Sequence, residues 1–524
     1  MFSPAIQRLV DDLKHQSGKT GSFGGSSDAF IKVNKLTGKA GAFYEKVRYF
    51  VDYKEEHTIR RSAIERIIKR KVMIEIDNNV GLSLLEELVG GGYLPNDRVG
   101  ADVAKDIQRI LNRFLIVKKH IGPKLLRNLK LKSRLINLAA TEIDLFLFPR
   151  PNDNLLVEAF YSTVKGSIKY SGELSNMQFG RQLYIACRRL LLQDDDPTVF
   201  YALWLKSVPE WPVISSEADL QKLNIDFFVL IKNIILEIED PIRFQIQAKL
   251  RNHGLYFSVL KEIIDKYGAE SEQVLSDKHH LDGDISEVLD KKYKKENNRI
   301  KKSGKRAIVY VFCTKIILAF LLELPYELFY IHSVNYVAFV TNILFHPFLL
   351  FLMTRNIKPL GEKNTKKITE GIHKVLYSSD VKKMYVKPST SGILLDTTFF
   401  LLYGLLFLVS FGCILWVLLS LGFNVVGILL FLTFLTFVSY FGLRIRYNAE
   451  RWRIRDEDEK TLTLLWNVFT FPIVRMGRWL SVKFASVNVF VFVMDFLIEV
   501  PFKLVLATSD GFLSFLKEKR DETY

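Results

Sequence analysis

Residues 307–330 read AIVYVFCTKIILAFLLELPYELFY, and this stretch decides the fold. A helix over it, rising about 1.5 Å per residue, is long enough to cross a hydrocarbon core of about 30 Å. Three more stretches meet the same test, at 334–354, 393–420 and 423–443. A water-soluble helix keeps a polar face, and these do not. The sequence therefore predicts a membrane domain over 307–443.

Lys and Arg near span ends are retained on the cytoplasmic side. The approach to the first span, KKYKKENNRIKKSGKR at 291–306, holds nine basic residues and one Glu, whereas the turn at 331–333 holds neither. The loop 355–390 again holds nine basic residues, against three acidic. The link SLGF between the third and fourth spans is uncharged, and 444–460 carries six basic and five acidic residues. All three basic segments are expected in the cytoplasm, which makes two hairpins with short outer turns and places everything before residue 307 inside.

Beyond the charged loop at 444–462, the segment 463–524 reads as interfacial or re-entrant helices. Its 464–480 portion is apolar but interrupted by Pro472, Arg475 and Arg478. The stretch 484–507 is long enough for a fifth span, yet Asp495, Glu499 and Lys503 form one stripe of a helix, and Lys517, Lys519 and Arg520 follow. An amphipathic helix at the cytoplasmic interface is the favoured reading. FLIEVPFKL at 496–504 also echoes FLLELPYEL at 320–328. Internal repeats mark some transporter folds, but a single short match between apolar helices is read as convergence. Proline in each copy removes a helix hydrogen bond and predicts a kink or an end near Glu323 and Glu499.

Ionisable groups in hydrocarbon are costly, and each is a functional candidate. Lys315 and Glu323 lie in the first span. Asn335, Asn342 and His346 share one face of the second, and Asp396 opens the third. With Asp495 and Glu499 they could line a proton or ion path, His346 being the group of ordinary pKa nearest neutrality. The competing reading is packing: Asn side chains bond membrane helices together, Asp396 suits a helix N-terminus, and His346 could serve carbonyls freed by Pro347. Packing is preferred, because residues 397–443 carry no Asp, Glu, Lys, Arg or His.

The chain as a whole has 524 residues, 49% hydrophobic, mean hydropathy +0.11 and net charge +16. The segment 1–28 reads as an amphipathic helix using Ile6, Leu9, Val10 and Leu13, begun by Ser3 and Pro4, and then a Gly/Ser linker. No apolar signal core is read in its first residues. Gly18-Lys19-Thr20 resembles the end of a phosphate loop, but Leu13 stands where that motif needs glycine, so a nucleotide site is rejected. Cys187, Cys313 and Cys413 are scattered and suggest neither disulfides nor a zinc site.

Residues 29–290 read as a helical cytoplasmic domain, with a break near 148–152 that divides it into two lobes. Helices are expected at 40–73, 101–120, 124–146, 154–164, 173–193, 197–207, 216–239, 241–251 and 256–267. Ser216 with Asp219 predicts a capping box, and Asp194, Asp195 and Asp196 read as charge at a helix N-terminus. His279, His280, Asp282 and Asp284 match no ligand spacing and are assigned to a polar linker at 270–296.

The fold class expected is thus all-α, with a helical cytoplasmic domain, a basic juxtamembrane segment at 291–306 and a membrane domain of four to five spans. Arg60, Arg61, Lys69, Arg70, Lys301, Lys302, Lys305 and Arg306 are the candidates for binding anionic lipid headgroups. No nucleic-acid motif, catalytic constellation, cofactor or metal site is read. The expected role is a plasma-membrane anchor and scaffold that is not an enzyme, whose basic module meets the inner leaflet and an unidentified cytoplasmic protein; a homo-oligomer is compatible with it. A small-solute or ion transporter is the alternative, and a lipid-acting membrane enzyme ranks third.

Overall fold

The computed structural model describes residues 2–16, 30–31, 56–74, 80–96, 98–121, 129–214, 216–223, 225–355, 360–378, 383–387, 393–454 and 461–486. It forms two compact units. The first comprises Met1–Glu272, Lys374–Pro388 and Met494–Tyr524, and the second Gln273–His373 and Ser389–Val493.

Unit one contains helices α1 (Pro4–Gln16), α2 (Glu56–Ile74), α3 (Val80–Gly90), α4 (Asp102–Ile121), α5 (Leu129–Leu147) and α6 (Pro151–Lys165). A short strand β1 (Ile168–Tyr170) follows, and then α7 (Asn176–Leu191), α8 (Asp196–Ser207), α9 (Glu217–Lys222), α10 (Phe227–Glu239) and α11 (Ile242–Tyr267). The apolar periodicity of α1 is buried, with Ile6, Leu9, Val10 and Leu13 all at 5% exposure or less. Ser3 does not cap α1 with its side chain; its hydroxyl donates to the Val375 carbonyl at 3.0 Å. Phe160 of α6 and Phe257 of α11 stack with ring centroids 4.6 Å apart. Helix α11 is continuous where two helices were expected, because Gly254 lies against Leu190 of α7. The capping box at Ser216 and Asp219 is present, but it starts only α9, and Asp226 caps α10 separately.

Several charges in this unit are internal. Arg113 of α4 donates to Glu142 of α5 at 2.5 Å and to the Trp211 and Pro212 carbonyls, while the Trp211 indole donates to Glu142 at 2.8 Å. Burial pushes the Glu142 carboxyl up, partly offset by Arg113 and the indole. Asp195 caps α8 and binds Arg61; burial opposes its charge, yet that guanidinium holds its carboxyl below the usual range. Buried Asp194 accepts from Arg188 at 2.6 Å.

Unit two opens on α12 (Ser271–Ser276), whose first residues belong to unit one, and α13 (Lys278–Leu318). The expected polar linker at 270–296 is instead mostly helix. Leu281, Ile285, Leu289 and Tyr293 recur every fourth residue and are buried, so polar composition concealed an apolar stripe. The helix then widens: Ala319–Glu323 is π-helical, Leu324–Tyr326 is one α turn, and Glu327–Ile331 is π-helical again. Pro325 therefore does not end the helix near Glu323, since wider turns rearrange the bonding around the missing N–H. His332, with φ +56°, stops it.

Helix α14 (Tyr336–Arg355) carries Pro347 within it. Part of the expected basic loop 355–390 folds as α15 (Glu362–Tyr377) and β2 (Met384–Val386). Strand β2 pairs in parallel with β1 in unit one. In unit two, Asn364 of α15 donates to the Tyr293 hydroxyl and the Trp452 carbonyl, each at 2.7 Å, and accepts from Ile454 N at 3.0 Å. His373 approaches Asp282 of α13 at 2.8 Å.

The last described helices are α16 (Ile393–Ser420), α17 (Val425–Ala449) and α18 (Thr461–Ser486). Gly422, with φ +74°, turns the α16–α17 link, where Asn335 donates to the Leu421 and Gly422 carbonyls. Pro472 does not interrupt α18, which packs along α17 and α16. Gly477 meets the Thr436 backbone, and the Arg475 guanidinium lies 4.7 Å from the Tyr403 ring centroid. Among the described residues four segments are long and apolar enough to cross a membrane: Lys278–Ile331, Tyr336–Arg355, Thr397–Ser420 and Val425–Trp452.

Candidate functional site

The polar residues of the apolar helices converge inside unit two. Lys315 closes α13, Glu323 and Glu327 lie on the widened turns after it, and Asn342 and His346 lie one turn apart on α14. Lys315, Glu323, Asn342 and His346 are wholly buried, and Glu327 is 2% exposed. Helix α17 supplies the opposite wall. Asn342 donates to Glu323 at 2.6 Å, and Asn424, just before α17, donates to Glu327 at 2.7 Å. The Asn424 side-chain oxygen accepts from Gly427 N at 2.7 Å.

Gly427 is the position that lets Glu323 in. A Cβ there would lie 2.6 Å from a Glu323 oxygen, closer than real atoms approach. His346 contacts two backbone carbonyls, with Nδ1 3.2 Å from Asn342 O and Nε2 3.0 Å from Phe431 O. Pro347 frees the Ile343 carbonyl instead, so the expected service of that carbonyl is not what is seen. The ring also packs among Phe345, Phe431 and Phe434, 4.6–5.9 Å between centroids.

Some charge is left over. Lys315 Nζ makes no hydrogen bond to a described residue and sits 4.5 Å from the Phe434 ring centroid. One oxygen each of Glu323 and Glu327, and that of Asn342, is likewise without a donor. Buried polar atoms without partners are costly. The arrangement offers one amine and two carboxylates, with amides between, and could exchange a proton or hold a small cation.

Of the residues singled out in the sequence, Lys315, Glu323, Asn342 and His346 meet. Asn335 does not join them, since its amide serves the α16–α17 link. Asp396 falls in the first turn of α16, on a backbone described without its side chain, and Asp495 and Glu499 lie outside the described residues. Glu327 and Asn424 were missed. Glu327 follows Glu323 by four residues and so shares its helix face, which was signal enough; Asn424 precedes an apolar run as a helix-capping residue does.

The headgroup candidates divide. Arg61 is buried against Asp195, Arg60 pairs with Asp144 at 3.3 Å and lies over Phe148, and Arg70 pairs with Glu87. Helix α2 thus commits these three guanidiniums to acidic neighbours, although the Arg70 side chain stays 36% exposed. Lys69, Lys301, Lys302, Lys305 and Arg306 are exposed. His279, His280, Asp282 and Asp284 occupy the first turns of α13, where His280 and Asp284 share a face, 3.8 Å apart, and among the described residues no cluster of three or more such groups could hold a metal. The chain matches no protein-family model, no curated protein sequence and no solved structure.

Proposed function

We propose that the protein is a multi-pass plasma-membrane anchor and scaffold. Its helical N-terminal module lies in the cytoplasm, meets anionic headgroups through the basic approach to the first span, and presents a surface to a protein partner. One observation carries the reading: Glu323 and Glu327 are turned inward and bonded to Asn342 and Asn424, while Lys301, Lys302, Lys305 and Arg306 at the approach to the first span stay exposed. Each such residue contributes about 1 kcal/mol near an anionic surface. On the module, α10 exposes Val229 and Leu236 at 46% and 59% with exposed Lys232 and Asn233 between them, a mixed face that we assign to the partner. Helix α18, packed on α16 and α17, is taken as re-entrant or interfacial.

Orientation tests this directly. In a background without the native cysteines, Ser333→Cys on intact cells reacts with a membrane-impermeant maleimide, and Lys302→Cys reacts only after the membrane is opened. The reverse pattern would overturn the cytoplasmic placement.

A second reading, transport of a proton or small cation, rests on buried Lys315, whose amine has no acceptor among the described residues. It ranks lower because the remaining groups are bonded across helices.

A further inference from the structure

Helices α13 and α14 lie against each other where Gly304 faces Thr354; a Cβ on Gly304 would sit 3.4 Å from the threonine methyl. The space between them is an open groove of about 760 Å³, walled by Ile308, Val309 and Phe312 on α13 and by Leu344, Phe348 and Phe351 on α14. Val309, Leu344 and Phe348 are each more than half exposed, so no described residue of the unit covers this apolar wall.

The register of the two helices gives the groove a polarity. On α13, residues 305, 308, 309 and 312 fall at i, i+3, i+4 and i+7, one face of the helix. On α14, residues 344, 348, 351 and 355 fall at i, i+4, i+7 and i+11, also one face. Both lines end in a cation, Lys305 on one wall and Arg355 on the other, at the level of Gly304 and Thr354. Both are exposed, and Lys302 stands one turn below Lys305. From the level of Val340 to that of Phe351 the groove runs about 16 Å at 1.5 Å per residue. That is close to half of a hydrocarbon core of about 30 Å, the depth of one leaflet.

We propose that this groove is a binding site for one anionic phospholipid. An acyl chain lies along the aromatic and aliphatic wall, and the phosphate is held between Lys305 and Arg355, with Lys302 beside it. Charge complementarity selects the lipid: a zwitterionic headgroup brings its own cation to a mouth that already holds three. The inference rests on the membrane reading above and sharpens it, from a basic surface to a defined site.

Native mass spectrometry of the full chain released from detergent tests it, with phosphatidylglycerol and phosphatidylcholine titrated in parallel. Wild type is expected to retain one phosphatidylglycerol in preference to phosphatidylcholine. The pair Lys305→Gln and Arg355→Gln should weaken it about fivefold per charge removed. Leu344→Trp, which fills the groove from an exposed position, should abolish the retained lipid while the unfolding temperature holds. If only the charge variant weakens binding, the headgroup is held on a general basic surface; the site is overturned and the wider reading survives. No preference for phosphatidylglycerol in wild type would overturn both. A dimer that Leu344→Trp disperses, with no lipid retained, would assign the groove to a second copy and also overturn the proposal.

Discussion

Glu142 shows how this chain treats buried charge: Arg113 on one oxygen, an indole N–H on the other, both inside the helical module. Breaking such a pair from one side strands the partner, at about 3–5 kcal/mol. Glu142→Ala should therefore lower stability by that much in denaturant unfolding followed by tryptophan fluorescence. The double change Glu142→Leu with Arg113→Met should cost less than the single one. His253 makes the opposite case. Burial lowers its pKa and no described residue hydrogen-bonds its Nδ1. The folded state then binds a proton less readily than the unfolded chain, whose histidine titrates near about 6.5. Stability is full above that pH and falls as pH drops toward the folded value. The unfolding temperature of wild type should decline between pH 7.5 and 5.5 more steeply than that of His253→Gln.

Helices separate what periodicity reveals from what it hides. The four apolar segments were legible because length and composition alone make them, and Lys315, Glu323, Asn342 and His346 because charge and amide stand out in such surroundings. The linker at 270–296 was not legible: four buried apolar residues spaced by four are outnumbered there by charged ones facing water. Nor was the basic loop 355–390, whose helix is fastened by Asn364, a residue with partners far away in sequence. Two prolines passed for breaks. Pro325 and Pro472 both sit within continuous helical backbone, as Pro347 does inside the second span, because packing and, at Pro325, widened turns compensate for the missing N–H. Close helix approach is equally invisible in one sequence. Gly477 presses on the Thr436 backbone, whereas a Cβ on Gly412 of α16 meets nothing within 4 Å. Gly477→Leu should thus separate α18 from α17 and lower the unfolding temperature in detergent by several degrees, while Gly412→Leu should leave it unchanged.

At the scale of the whole molecule, the scaffold reading and the transport reading differ over one cluster. If Lys315, Glu323, Glu327, Asn342 and His346 fasten three helices together, nothing crosses through them. If they exchange a proton or cation, something does. The deciding measurement is proton and cation flux into proteoliposomes across a pH step, comparing wild type with Glu323→Gln, which keeps the shape and the amide contact but not the charge. The account predicts no flux above empty liposomes from either protein, with both folded by their unfolding temperatures. Flux from wild type that falls in Glu323→Gln would contradict it, and would make the cluster a transport site.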